Sequence, residues 1–72
     1  MDLIESARKH GVPDPDIWHA YRWPILIHRF DGYDIYIGPS TSGALLEVGV
    51  SQDRQVIFHC QPARPKFLPQ RR

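Results

Sequence analysis

The sequence predicts an α+β domain: two short N-terminal helices packed on an antiparallel sheet of about four strands, in the order helices first and strands after. Three observations predict it. Cap residues bracket two helix-period stretches before Pro24. From Ile25 onward the apolar residues alternate. Asp31-Gly32 joins two β-rich runs as a hairpin turn.

The first helix is expected over residues 3 to 10. Asp2 stands as N-cap with Glu5 three positions on, Leu3, Ile4 and Ala7 form an apolar stripe, and Arg8, Lys9 and His10 complement the C-terminal dipole before Gly11 and Pro13 end it. Asp14-Pro15 starts the second, with Ile17, Ala20 and Tyr21 on one face and Pro24 as the stop. In "ILIHRF-DG-YDIYIG" a type I′ turn at Asp31-Gly32 sets Phe30 opposite Tyr33 and Arg29 opposite Asp34. One face then carries Leu26, His28, Phe30, Tyr33, Ile35 and Ile37, which is the expected core face, and the other carries Ile27, Arg29, Asp34 and Tyr36. "GPSTSG" is a loop, "ALLEVGV" the third strand, "SQDR" a turn and "QVIFHC" the fourth. On that last strand Val56, Phe58 and Cys60 are expected to serve the core, with His59 outward. Pro62, Pro65 and Pro69 make residues 62–72 an extended Pro/Arg-rich tail on a single domain spanning residues 1–72.

A chain of 72 residues builds only a small core, so part of its stability is expected from another chain, a partner protein or a second copy in a homodimer. With Cys60 alone there is no intramolecular disulfide, and no Cys/His pair has zinc-ligand spacing. No metal and no cofactor is expected. The longest apolar runs are far short of a membrane span or a signal-peptide core, and a cytoplasmic location without membrane association is expected. Net charge is +1, but no acid follows Asp53, so Arg64, Lys66, Arg71 and Arg72 make a basic end suited to phosphate.

"ARKHGV", an acidic helix start, "IGPS", "LLEVGV" and "VIFHCQPAR" together resemble the BrnT family, small ribonuclease toxins of bacterial type II toxin–antitoxin pairs related in fold to RelE. The similarity covers residues 7 to 64 and consists of short motifs with apolar filling between them. Two departures stand out. BrnT-like chains place a strand with a "WD" motif before the first helix, for which no segment is expected ahead of Asp2 here, and they place an arginine where this chain has Gln61.

What the resemblance implies is a metal-independent endoribonuclease that acts on RNA and is neutralised by a cognate antitoxin. Such cleavage needs a base near the ribose 2′-OH, an acid for the leaving oxygen and cations for the phosphorane charge. Tyr36, Glu47, His59 and Arg64 are the candidate catalytic residues; Lys9, His10, Arg29 and Lys66 are the candidate RNA-binding residues. Trp18, Trp23 and Tyr36 are candidate platforms for unpaired bases. His28, on the expected core face, reads as a hydrogen-bonded structural histidine, and Cys60 as a small buried hydrophobe. Two other readings stay open: a non-catalytic protein- or nucleic-acid-binding module of the same fold, and a small structural or regulatory dimer.

Overall fold

In the computed structural model, which describes residues 1–69, the chain runs β1 (Asp2–Leu3), a 3-10 helix (Glu5–Arg8), α1 (Asp14–Arg22), β2 (Leu26–Arg29), β3 (Tyr33–Pro39), β4 (Leu45–Ser51), β5 (Val56–Pro62) and a second 3-10 helix (Pro65–Phe67). Arg71 and Arg72 lie outside the described residues. The sheet has five strands in the order β1-β5-β4-β3-β2 and is mixed, because β1 runs parallel to β5 while the other pairs are antiparallel. Among the described residues no helix is long and apolar enough to cross a membrane.

The expected pair of helices is therefore one α-helix and one 3-10 turn. Leu3 joins a strand and Ile4 is extended, with φ −98° and ψ 167°. A stretch of this length has little helical stability of its own, whereas the free edge of β5 offers backbone partners. Asp2 N donates to Gln55 O at 3.2 Å and Ile4 N to Ile57 O at 3.1 Å. Asp2, expected as an N-cap, thus belongs to the sheet, and it supplies a first strand that the sequence does not announce. By contrast α1 begins at Asp14 with Pro15 in its first turn and Asp14 and Asp16 at its positive end, and it buries Ile17 and Ala20.

The β2–β3 hairpin has the expected register, with Arg29 opposite Asp34, Leu26 opposite Ile37, and Phe30 N bonded to Tyr33 O at 2.9 Å. Its turn differs. Only Gly32 takes a positive φ, +88°, whereas the expected type I′ turn needs Asp31 there as well.

Both faces of the sheet are covered. The larger cluster joins Ala7, Ile17 and Ala20 to Leu46, Val48, Val50, Ile57 and Cys60, with Tyr21 and Tyr36 packed against it. For the β2–β3 hairpin that is the face opposite the expected one, whereas Cys60 of β5 serves this core as expected. α1 lies on this face: a Cβ at Gly38 would overlap the backbone carbonyl of Ala20, so only glycine admits so close an approach. On the expected face Ile35 and Ile37 are buried beneath Phe67, while Phe30 and Tyr33 stay exposed. The C-terminal segment is accordingly not a plain extended tail. After Pro62 it stays bonded to β4 through Ala63, coils at Pro65–Phe67 and seats Phe67 on the sheet.

One irregularity decides which side chains meet. Gly49 pairs with His59 but Val50 with Ile57, so Phe58 is an extra residue in β5. Ile57, not Phe58, then joins Cys60 in the helix-side cluster, correcting the simple alternation expected for this strand.

Candidate active site

Glu47 sits in the middle of β4, between Ile37 of β3 and Gln61 of β5, and is fully buried. An ionised carboxylate there needs donors. It has five donor contacts: Arg64 gives its backbone N–H to Oε1 at 2.9 Å, Nε to Oε1 and Oε2 at 3.0 and 3.2 Å, and Nη2 to Oε2 at 2.7 Å, while His59 gives Nε2–H to Oε2 at 2.9 Å. Burial alone would push the carboxyl up; the Arg64 side chain, its backbone N–H and the His59 ring outweigh that and hold it at about 2. Glu47 is thus an anion at neutral pH.

Arg64 reaches this carboxylate because the chain keeps to the sheet past β5. Ala63 N bonds Leu45 O at 3.0 Å, and Pro65 then starts the 3-10 helix. That turn places Phe67 under two cations, with Arg64 Cζ 5.4 Å and Lys66 Nζ 5.1 Å from the ring centroid.

His59 owes its position to the bulge and to Gly49. A Cβ at Gly49 would come within 2.9 Å of both His59 Cβ and Phe58 Cζ, so the missing side chain is the space in which these two residues lie. With Glu47 ionised, the bonded Nε2 carries the proton, leaving Nδ1 as the lone-pair nitrogen of the neutral ring. The ring of His10, which follows the first 3-10 helix, stands edge-on to it at 5.8 Å. Ser6 helps hold that segment by donating Oγ–H to Phe58 O at 2.6 Å.

Beside His59 lies an open cleft of about 350 Å³ with Ile35, Tyr33, Phe58, Arg64, Lys66 and Phe67 as its other lining residues. Its polar and aromatic groups are interleaved, with Phe58 beside His59 at 6.4 Å between ring centroids and Phe67 against Arg64 and Lys66. Glu47 can hold the imidazole in one orientation and stabilise it when protonated, and Arg64 and Lys66 supply positive charge for an anion. Among the described residues no group of three or more His, Cys, Asp or Glu side chains is placed to hold a metal ion.

Of the candidate residues, Glu47, His59, Arg64, Lys66 and His10 are brought together. Lys9 is an exposed neighbour of His10 in sequence. Tyr36 and Arg29 are not part of the group: both lie on the helix face. Tyr36 stacks on Tyr21 at 5.2 Å, and burial and Tyr21 push its phenol up. Arg29 is paired to Asp34 at 2.8 Å. Odd and even positions on adjacent strands decide this: Tyr36 is opposite Val48, one residue from Glu47 and therefore on the other side. Trp18 packs edge-on against Tyr21, and Trp23 is exposed at the end of α1 with Arg22 over it at 5.6 Å, so neither borders the cleft. His28 is the expected structural histidine, giving Nε2–H to Phe67 O at 2.7 Å. Cys60 is buried among apolar side chains, as expected.

Four residues that shape the cleft were not singled out by the sequence: Tyr33, Gly49, Phe58 and Phe67. The available signal was the glycine within a β-rich run, which marks a bulge or a close approach. The chain matches no family model, no curated protein and no solved structure.

Proposed function

We propose that this protein is a metal-independent endoribonuclease, the toxin of a bacterial toxin–antitoxin pair with a BrnT-like, RelE-related fold. The observation that carries the proposal is the hydrogen-bonded group Glu47–His59 with Arg64, bordering a cleft that also holds Lys66. In this reading Nδ1 of His59 takes the proton of a ribose 2′-OH, and O2′ attacks the adjacent phosphorus. The P–O5′ bond breaks, the imidazolium returns its proton to O5′, and the products are a 2′,3′-cyclic phosphate and a 5′-hydroxyl. Glu47 orients the ring, and Lys66 with the outer edge of Arg64 offsets charge on the phosphorane. A guanidinium from Arg64 meets the carboxylate opposite Gln61, which lessens the departure at that position. The four antiparallel strands, the helix on one face and the first strand formed by Asp2–Leu3 support the fold assignment. The antitoxin would be a small cytoplasmic protein covering the cleft.

The test is turnover of single-stranded RNA by the purified chain in excess chelator, with expression in a bacterial host alongside. RNA shortened to cyclic-phosphate ends, growth arrest on expression, and a loss of roughly a hundredfold or more in turnover for His59→Ala are the expected results. A folded wild type that leaves RNA intact and growth unaffected sinks the proposal.

A second reading has its own observation. The Glu47 carboxylate is filled by Arg64 and His59, an arrangement that locks the C-terminal segment whether or not chemistry follows. In that case the protein is a non-catalytic binding module, and binding survives His59→Ala with no RNA turnover at any stage.

A further inference from the structure

Beyond the acid–base group, the cleft has an aromatic side that hydrolysis of a phosphodiester does not require. Tyr33 is stacked on Phe30 at 5.0 Å and 14° and meets Phe58 edge-on at 6.0 Å; Phe30 in turn meets Phe67 at 6.3 Å. Phe30 and Tyr33 are 42% and 37% exposed, although both lie on a sheet face whose neighbouring residues Ile35 and Ile37 are buried. Tyr33 lines the cleft, so its open ring offers a flat apolar surface to whatever enters. Two cations, Arg64 and Lys66, border the same cleft, so its walls complement a ligand that is flat and apolar on one part and anionic on the other. At about 350 Å³ it lies at the lower end of the roughly 300–1,000 Å³ typical of ligand sites, room for one nucleotide unit and not for a duplex.

We propose that Tyr33 and Phe58, buttressed by Phe30, form a stacking subsite for one unpaired nucleobase whose phosphate lies against Lys66 and Arg64. This rests on the reading of the cleft as an RNA site and specifies its substrate: single-stranded nucleic acid held by a base, with double-stranded RNA excluded because its bases are already stacked. It also moves the stacking platform from Trp18, Trp23 and Tyr36, where the sequence suggested it, to the hairpin end of the sheet. Stacking tolerates every base, so the subsite favours unpaired over paired strands more than one sequence over another.

The experiment is binding, read separately from cleavage. The probe is a fluorescein-labelled oligothymidylate of about eight nucleotides, which lacks the 2′-OH and so is not cleaved by the route above, measured by anisotropy at fixed low salt because phosphate contacts are salt-dependent. Wild type is expected to bind it. Tyr33→Ala weakens binding on the order of tenfold, Tyr33→Phe keeps it, and Tyr33→Leu, which retains apolar bulk should the alanine variant fail to fold, weakens it like alanine. An otherwise identical oligomer of abasic units binds wild type with the weakened affinity and does not distinguish the variants. Unchanged affinity for folded Tyr33→Leu, equal binding of the abasic oligomer, or no binding of the oligothymidylate by wild type overturns the subsite; the first two mean that phosphate contacts alone carry the binding. RNA turnover separates the two proposals. Tyr33-dependent binding without turnover removes the nuclease and keeps the subsite, while turnover with Tyr33-independent binding does the reverse.

Discussion

Glu47 and His59 lie diagonally across β4 and β5, each paired in the ladder to another residue, Gln61 and Gly49 respectively, yet their side chains are joined by a 2.9 Å hydrogen bond. A diagonal pair is within reach only for long side chains. The carboxylate therefore holds the imidazole from beneath while its other contacts come from Arg64.

Arg64→Ala is expected to lower the urea midpoint clearly, because it leaves a buried carboxylate with the His59 ring and one backbone N–H as its remaining protein donors. Arg64→Lys keeps the charge but loses the forked contact, and falls between. Urea unfolding at neutral pH measures both, and an alanine variant as stable as wild type would mean that the ion pair does not hold the C-terminal segment.

Acid should unfold the chain through the same group. The folded carboxyl of Glu47 lies at about 2 against an ordinary 4.5, so the folded state favours the anion and the unfolded state takes up the proton first. Its contribution, about 3 kcal/mol from the size of that displacement, is complete above about pH 5 and is lost as pH falls through 4.5 toward 2. Thermal melts from pH 7 to 2 should show the decline, and Glu47→Gln, less stable at neutral pH, should show a shallower one.

Gly49→Ala should damage the site more than the fold. The new Cβ lies 2.9 Å from the Phe58 ring, which can swing toward the open cleft, and 2.9 Å from His59 Cβ, which can move only with the backbone of β5. A loss of about 1–3 kcal/mol is expected from overpacking, together with loss of the Glu47–His59 hydrogen bond, visible as a change in the His59 ring resonances. Gly38→Ala, against the backbone of Ala20, should instead lift α1 and cost the fold more.

The Cys60 thiol should be silent in the native protein. Burial, followed by the charges of Glu47 and Asp16, pushes it up to about 12, and the side chain is enclosed in the helix-side cluster. A maleimide or disulfide reagent at pH 8 is expected to label it only at the rate of unfolding, and rapid labelling of folded protein would contradict its enclosure.

The sequence showed most of the antiparallel sheet, because Asp31-Gly32 fixes the hairpin register and alternation then carries from strand to strand. It also placed Glu47 and His59 on a common face. What it missed came from tertiary competition. Leu3 and Ile4 satisfy a helical stripe equally well as they satisfy a strand, and the open edge of β5 decides between them. On the β2–β3 hairpin the favoured core face was misjudged because both faces carry apolar residues and only the landing of α1 at Gly38 ranks them. Tyr36 was grouped with Glu47 although the ladder puts them on opposite sides, and the extra residue at Phe58 leaves no trace in the composition of β5.

The two-residue strand β1 has a consequence for how the chain avoids its own copies. It is tied to β5 by residues from opposite ends of the sequence, so its closure is entropically late and its opening early, and the amides of Asp2 and Ile4 should be among the first in the sheet to exchange with solvent. While it is docked, the outer edge of β5 at Val56 and Ile57 is occupied. Once it peels away, that edge becomes a template for any strand in the neighbourhood, including one from a second molecule. The shortest element of the fold is in this sense its guard against edge-to-edge polymerisation, and removing it is expected to leave a sheet that folds but aggregates.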